Sequence, residues 1–252
     1  MDFSSLLSEA VNKPGILSKA YQAFHNYSVG NQMAAMSQCV ARGIEVGPIS
    51  TFKGWQEKGR CVTKGQKALA LCMPVTMKGE KDNKSTGQKE EFTFNRFVFK
   101  NNWFVVSQTE GADFAHEVKN PLWDSAKALQ ALSISETPFT MIDGNCQGYA
   151  SGQTFALNPV AALPHKTRFH EMAHIVLGHT QEFTMTDSER TPKDIKEVEA
   201  ESVAYILCSI LGLPGLEESR GYIQHWLRDC EISEKSAQKI FSTADKILKA
   251  GQ

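Results

Sequence analysis

The segment His170-Glu-Met-Ala-His174, set in an apolar run over 169–177, constrains this chain more than any other stretch. On a helix, residues four apart lie about 40° apart, so both imidazoles can reach one cation, and a glutamate beside them can act as base toward a water. Met172, Ala173, Ile175, Val176 and Leu177 call for a buried helix, bracketed by Asn158-Pro159 upstream and by Gly178 as its C-terminal stop. The expectation is a Zn²⁺ site of hydrolytic type, with His170 and His174 as ligands and Glu171 as general base.

Zinc that keeps one position open takes three protein ligands, and the candidates for the third are His165, His179 and the acids Glu197, Glu199 and Glu201. His165 follows Pro164 in a connecting segment and reads as exposed. His179 falls on the opposite side of an ideal helix from His170, and one place short of the third histidine of the long metzincin pattern. It is expected at the helix end, or in outer contact with the site, rather than on the metal. Residues 196–211 read as a second helix that turns apolar after Glu201. Glu197 and Glu201 share a face of it, whereas Glu199 lies about 160° away. Glu197 is expected to bind the metal while Glu201 accepts the outer N–H of a ligand histidine, with Glu201 the rival for the ligand position. This spacing is similar to that of gluzincins. Tyr149, Tyr205, Tyr222 and His225 all qualify as donors to a tetrahedral oxyanion, and the sequence does not choose among them.

With 252 residues and 41% hydrophobic content, the chain admits one core or two. No apolar stretch approaches the roughly 18 residues of a membrane span, and the start Met-Asp-Phe-Ser-Ser has no basic leader, so a cytoplasmic protein without membrane contact is expected. The six cysteines, Cys39, Cys61, Cys72, Cys146, Cys208 and Cys230, form no Cys-x-x-Cys pair, which favours reduced thiols.

Charge is unevenly spread. Residues 1–100 carry 14 Lys and Arg against 8 Asp and Glu, and residues 101–252 carry 13 against 20. The basic excess concentrates at Lys53, Lys58, Arg60, Lys64 and Lys67, interleaved with Phe52 and Trp55. Cations for phosphates beside aromatic faces for unpaired bases are the ingredients of a single-strand binding surface, against the alternative of a solvated loop whose aromatics belong to the core.

Along the chain, residues 4–40 read as helical with an interruption at 27–31, and 50–55 as a short helical or turn segment. Residues 68–77 and 91–106 read as strands, and the polar 78–89 as the loop between them. A helix restarts at 121–132. Short strands are expected at 139–142 and 148–158, punctuated by Asp143-Gly144 and Ser151-Gly152. The extended stretch 154–158 is expected to line a cleft and pair with an extended peptide.

Several of these segments resemble the ArdC-type antirestriction proteins, which are encoded largely on plasmids, phages and integrated elements. The N-terminal resemblance rests on Tyr27-Ser-x-x-Asn31, Thr51-Phe-Lys-Gly-Trp55, Gly59-Arg60, Lys64-Gly65 and Ser107-Gln-Thr-Glu-Gly111. The C-terminal one rests on Gly148-Tyr149, Asn158-Pro159, the His170–His174 motif and Glu197-Val-Glu-Ala-Glu-Ser-Val-Ala-Tyr205. It spans residue 20 to about 212 and leaves the last forty residues unmatched. The resemblance implies an α+β protein of two domains: a small mixed N-terminal domain that binds single-stranded DNA (1–118), and a zincin-like metallopeptidase domain (119–252). It further implies zinc on His170, His174 and Glu197, Glu171 as base, and DNA contact through Tyr27, Asn31, Lys53, Trp55, Lys58, Arg60, Lys64 and Lys67. Three functions fit: a DNA-guided protease acting on a protein or peptide substrate, a non-proteolytic protector of incoming DNA with structural zinc, and a cytosolic peptidase that cleaves a repressor or DNA-bound protein.

Overall fold

The structure of the protein, a computed structural model, describes residues 1–82, 89–115, 121–142, 145–181, 193–229 and 232–252. Its elements run α1 (Phe3–Asn12), α2 (Ile16–Phe24), α3 (Val29–Arg42), β1 (Ile49–Thr51), α4 (Phe52–Glu57), β2 (Arg60–Val62), β3 (Leu69–Asp82) and β4 (Lys89–Val105). A 3-10 turn at Val106–Gln108 leads to β5 (Thr109–Gly111), α5 (Ser125–Leu132), β6 (Ser135–Glu136), β7 (Gly148–Ser151) and β8 (Thr154–Leu157). Four helices follow: α6 (Pro164–Val176), α7 (Lys193–Leu211), α8 (Leu216–Asp229) and α9 (Glu234–Ala250). The fold is α+β. None of the described helices is long and apolar enough to cross a membrane.

Two compact units divide the chain: Met1–Met33 together with Glu117–Gln252, and Ala34–His116. A single cut between 118 and 119, which falls outside the described residues, therefore does not separate them, because the N-terminal helices belong with the C-terminal part. The reason lies in their patterning. α1 buries Phe3, Leu6, Leu7, Ala10 and Val11, and α2 buries Ile16, Leu17, Ala20, Tyr21 and Phe24, in both cases the i, i+3, i+4 stripe of an amphipathic helix that needs a partner. Their partners are α7, α8 and α9. From Val198 to Ile210, α7 is buried on nearly every side, as befits the central helix of this unit. The unit's small sheet has the order β6-β8-β7, with β7 antiparallel and β6 parallel to β8. It is therefore mixed rather than purely antiparallel, and residues 139–142 form no strand.

The Ala34–His116 unit holds a three-stranded antiparallel sheet, β1-β4-β3, and a two-stranded ribbon, β2-β5. Gln38 on α3 stands in for a neighbouring strand: its amide donates to the Ala70 carbonyl at 2.8 Å and accepts from the Ala70 N–H at 2.9 Å. The stretch expected as a loop over 78–89 is strand through Asp82 and again from Lys89, with 83–88 outside the described residues. Cross-strand pairs Lys78–Glu91 (3.7 Å) and Lys89–Glu80 (2.9 Å) let this polar sequence pair as a ribbon. Asp143-Gly144 and Cys230 also lie outside the described residues. The other five cysteines are free thiols, and burial pushes Cys39 up to about 11 and Cys208 up to about 12.

Candidate metal centre

Pro164 occupies the first turn of α6, where its missing N–H costs nothing, and the helix buries Phe169, Glu171, Met172, Ala173 and Ile175. Phe169 packs edge-on against Trp123 at 4.7 Å, and Trp123 in turn donates from its indole to the Ile247 carbonyl of α9 at 3.0 Å. The polar side of α6 faces α7. There the ligand atoms of His170, His174 and Glu197 all lie within 4.8 Å of one another, a cluster that can hold a metal ion. The Glu197 carboxylate stands 3.4 Å from His170 Nε2 and 3.6 Å from His174 Nε2, and it stays partly open to solvent.

Outer contacts fix both imidazoles. His170 donates from Nδ1 to Glu201 at 3.0 Å, and the other oxygen of Glu201 accepts from Lys166 at 2.7 Å. Burial raises the Glu201 carboxyl, but the hydrogen bonds from His170, Lys166 and Ser219 outweigh it and leave the group at about 2. Burial likewise opposes a charge on His170, yet the neighbouring carboxylates of Glu197 and Glu201 lift it to about 9 in the absence of metal. His174 has a different partner. Its Nδ1 lies 3.1 Å from His179 Nδ1, His179 Nε2 lies 2.9 Å from Glu199, and Ser236 of α9 donates to the other oxygen of Glu199. Burial lowers His179 and keeps it neutral, and against its own burial Glu199 is kept ionised by the hydrogen bonds from His179 and Ser236, so the chain runs one way: the His174 Nδ1–H donates to His179, whose Nε2–H donates to Glu199.

With both Nδ1 atoms engaged elsewhere, the Nε2 atoms of His170 and His174 stand 3.0 Å apart with a carboxylate facing them. The rise of His170 shows that this cluster favours positive charge, and two imidazoles facing a carboxylate are donors that fit a divalent metal in place of that proton. Glu171, beside them, is only 7% exposed, and burial raises its carboxyl above the usual carboxylate range. β7 presses against it: a Cβ added at Gly148 would come within 3.2 Å of the Glu171 carboxylate.

Glu199 is the residue that a helical-wheel argument sets aside, and the structure buries it at 3% exposure against His179. The placement of His179 also departs from the ideal-helix projection, because α6 ends at Val176 and Gly178 turns the chain with φ +78°. The N–H of Gly178 bonds the Ile175 carbonyl at 3.0 Å and that of His179 bonds the His174 carbonyl at 2.8 Å, the paired bonds of a Schellman motif. That motif sets the second residue beyond the helix against the one three back from its end. Glycine at 178 was the available signal.

Among the oxyanion candidates, Tyr205 is removed, since it is 1% exposed and its hydroxyl donates to the Ala10 carbonyl at 3.3 Å. Tyr149 follows Gly148 on β7, with its hydroxyl 3.2 Å from Thr140, while Tyr222 and His225 lie on α8. His165 bonds the Pro214 carbonyl at 3.0 Å. β8 cannot accept an extended peptide edge to edge, because β6 and β7 occupy both of its sides; the outer edge of β7, which packs on α6, is the nearer alternative.

The residues expected to touch DNA differ in exposure and fall in both units. Trp55 is fully buried, donates to the Phe104 carbonyl at 2.8 Å and meets Phe114 edge-on at 5.2 Å, so it is a core residue and stacks no base. Arg60 is committed to its own fold, donating to Thr109 Oγ1 (2.7 Å), the Thr109 carbonyl (2.9 Å) and the Ala112 carbonyl. Lys58 lies over the Trp55 ring and donates to the Gly54 carbonyl at 3.1 Å. Lys53, Lys64 and Lys67 are exposed. Tyr27 and Asn31 are half-buried and belong to the other unit.

Fold and site together define a two-unit α+β protein with an HExxH…E cluster that could hold a metal ion. Residues 8–104 match the model of the N-terminal domain of anti-restriction factor ArdC. Two crystal structures of the antirestriction ArdC protein from plasmid R388 have a similar fold. The metal-free one has a TM-score of 0.57 at 18% identity, covering 98% of this chain and 95% of that one. The Mn(II)-bound one has a TM-score of 0.56 at 19% identity, covering 99% and 97%. No curated protein matches the chain by sequence. Residues 8–104 thus match an ArdC-type N-terminal domain, and the chain along nearly its whole length shares the fold of the R388 ArdC protein.

Proposed function

We propose that this chain protects incoming DNA of a mobile element as a metal-dependent peptidase brought to its work by single-stranded DNA. In this reading the Ala34–His116 unit binds the strand, and His170, His174 and Glu197 hold zinc. The observation that carries the metal is the approach of His170 Nε2, His174 Nε2 and the Glu197 carboxylate to within 4.8 Å of one another, with both Nδ1 atoms engaged elsewhere. Two imidazoles and one carboxylate are a zinc donor set, and the similar R388 ArdC structure in its Mn(II)-bound form supports a divalent cation in this fold. Bound there, the cation supplies Lewis acidity toward a peptide carbonyl and acidity to a water.

The chain's own groups do the rest. Glu171, buried beside the ligands, takes a proton from the attacking water and returns it to the leaving amine. Glu201 and His179 hold the two imidazoles in the tautomer that leaves Nε2 free. A peptide paired along the outer edge of β7 would pass beside Glu171, where Gly148 allows a close approach.

Glu171→Gln tests the reading. It should keep metal and single-stranded DNA binding within about twofold and lower cleavage of a denatured protein, assayed with DNA present, by about 100-fold or more. Full protection of DNA by that variant in cells would remove proteolysis from the mechanism and leave a DNA-binding protector.

A further inference from the structure

Beyond Leu71 and Lys100, β3 and β4 continue as a two-stranded ribbon whose faces differ in character. The register places Met73 opposite Val98, Val75 opposite Arg96, Met77 opposite Phe94 and Gly79 opposite Phe92, so these residues share one face. Met73, Met77, Phe92 and Phe94 are 36 to 45% exposed on it, large values for apolar side chains. Phe92 lies down along the ribbon over Gly79, where an added Cβ would come within 2.8 Å of its ring and 3.3 Å of the Phe94 ring. The two rings, 5.7 Å apart and 33° from parallel, thus form a flat platform against the backbone. Both described ion pairs of the ribbon, Lys78–Glu91 and Lys89–Glu80, are on the opposite face. From 71 to 81 and from 90 to 100 the register places three cations, Lys81, Arg96 and Lys100, and one carboxylate, Glu90, on this face.

We infer that this face is where unpaired nucleotides bind, with bases stacking on Phe92 and Phe94 and phosphates meeting Arg96 and Lys100. The inference rests on the single-stranded DNA reading above and moves its site from residues 53–67 to the ribbon. Charge decides the occupant. An apolar protein surface would gain nothing from a net excess of two cations, whereas a single strand offers both ring faces and anions. A paired duplex hides its base faces and cannot use the platform.

Fluorescence anisotropy of the full chain with a labelled mixed-sequence 20-mer tests this. Phe92→Ala with Phe94→Ala should weaken binding about tenfold or more, and Arg96→Ala with Lys100→Ala should flatten the salt dependence by about 0.7 per cation removed. Phe97→Ala, on the opposite face and 64% exposed, should bind within twofold of the parent. A parent that binds the strand while the double phenylalanine variant binds equally well overturns the platform and spares the DNA reading. A parent that binds no single strand overturns both. Loss of self-association, rather than of DNA binding, in the double variant would make the face a contact between copies and overturn the proposal.

Discussion

His179 shows how much one side chain outside the ligand set can decide. The Nδ1–H of His174 needs an acceptor, and His179 supplies it only because Glu199, with Ser236 behind it, takes the proton on the other ring nitrogen. Without that chain the His174 imidazole is free to turn or to place its proton on Nε2, where a metal needs the lone pair. His179→Phe should therefore weaken Zn²⁺ binding about 10- to 100-fold in competition with a chromophoric chelator. His179→Gln should stay within a few-fold of the parent, since its carboxamide can accept from His174 and donate to Glu199 together. A folded His179→Phe protein that binds zinc as tightly as the parent would show that the contact is packing alone. The juxtaposition of His170, Glu171 and His174 was legible because their spacing is fixed by helical geometry, which holds within one unbroken helix. Glu199 and His179 were not, because their meeting depends on where α6 stops and on α9.

At the scale of elements, α9 organises its neighbours through carboxylates as well as apolar contact. Glu234 accepts from the N–H groups of Phe3 and Ser4 at 2.6 and 3.1 Å, covering the unpaired donors at the start of α1, and Asp245 accepts from the Val29 N–H at the start of α3 at 3.1 Å. Anions at helix N-termini satisfy orphan donors and oppose the positive end of the helix dipole. Glu234→Ala or Asp245→Ala should each cost about 1 kcal/mol, read as a lower midpoint in urea with an unchanged slope. No loss in either variant would mean that water replaces the cap at no cost. The sequence carried the helical stripes of α1 and α2 plainly, but not these partners, which lie more than 200 residues away. It likewise misplaced Trp55: aromatic and basic residues alternating in a short segment look the same whether the ring faces water or, as here, the sheet.

The whole molecule divides where charge divides, though not at one point along the chain. The Ala34–His116 unit holds 12 Lys and Arg against 8 Asp and Glu, so the basic excess seen in the first hundred residues survives the reassignment of α1 and α2 to the acidic unit. Those two helices matter to the unit that holds the His170–His174–Glu197 cluster for a simple reason of area. Leu6, Leu7, Val11, Leu17 and Phe24 are each no more than 2% exposed in it, and burial of such side chains is worth about 1.5–3 kcal/mol apiece, on the order of 10 kcal/mol together as an upper estimate. That equals the net stability of an ordinary domain. Polar contacts add to it: Tyr205 donates to the Ala10 carbonyl at 3.3 Å, and Gln252 donates to the Tyr21 hydroxyl at 2.7 Å. A fragment of residues 119–252 should therefore lack a cooperative unfolding transition and the near-ultraviolet circular dichroism of packed aromatics, although it contains the whole metal cluster. Adding a peptide of residues 1–33 should restore both, together with zinc binding. If the 119–252 fragment unfolds cooperatively by itself with the midpoint of the full chain, the N-terminal helices are an attachment to this unit and not part of its core.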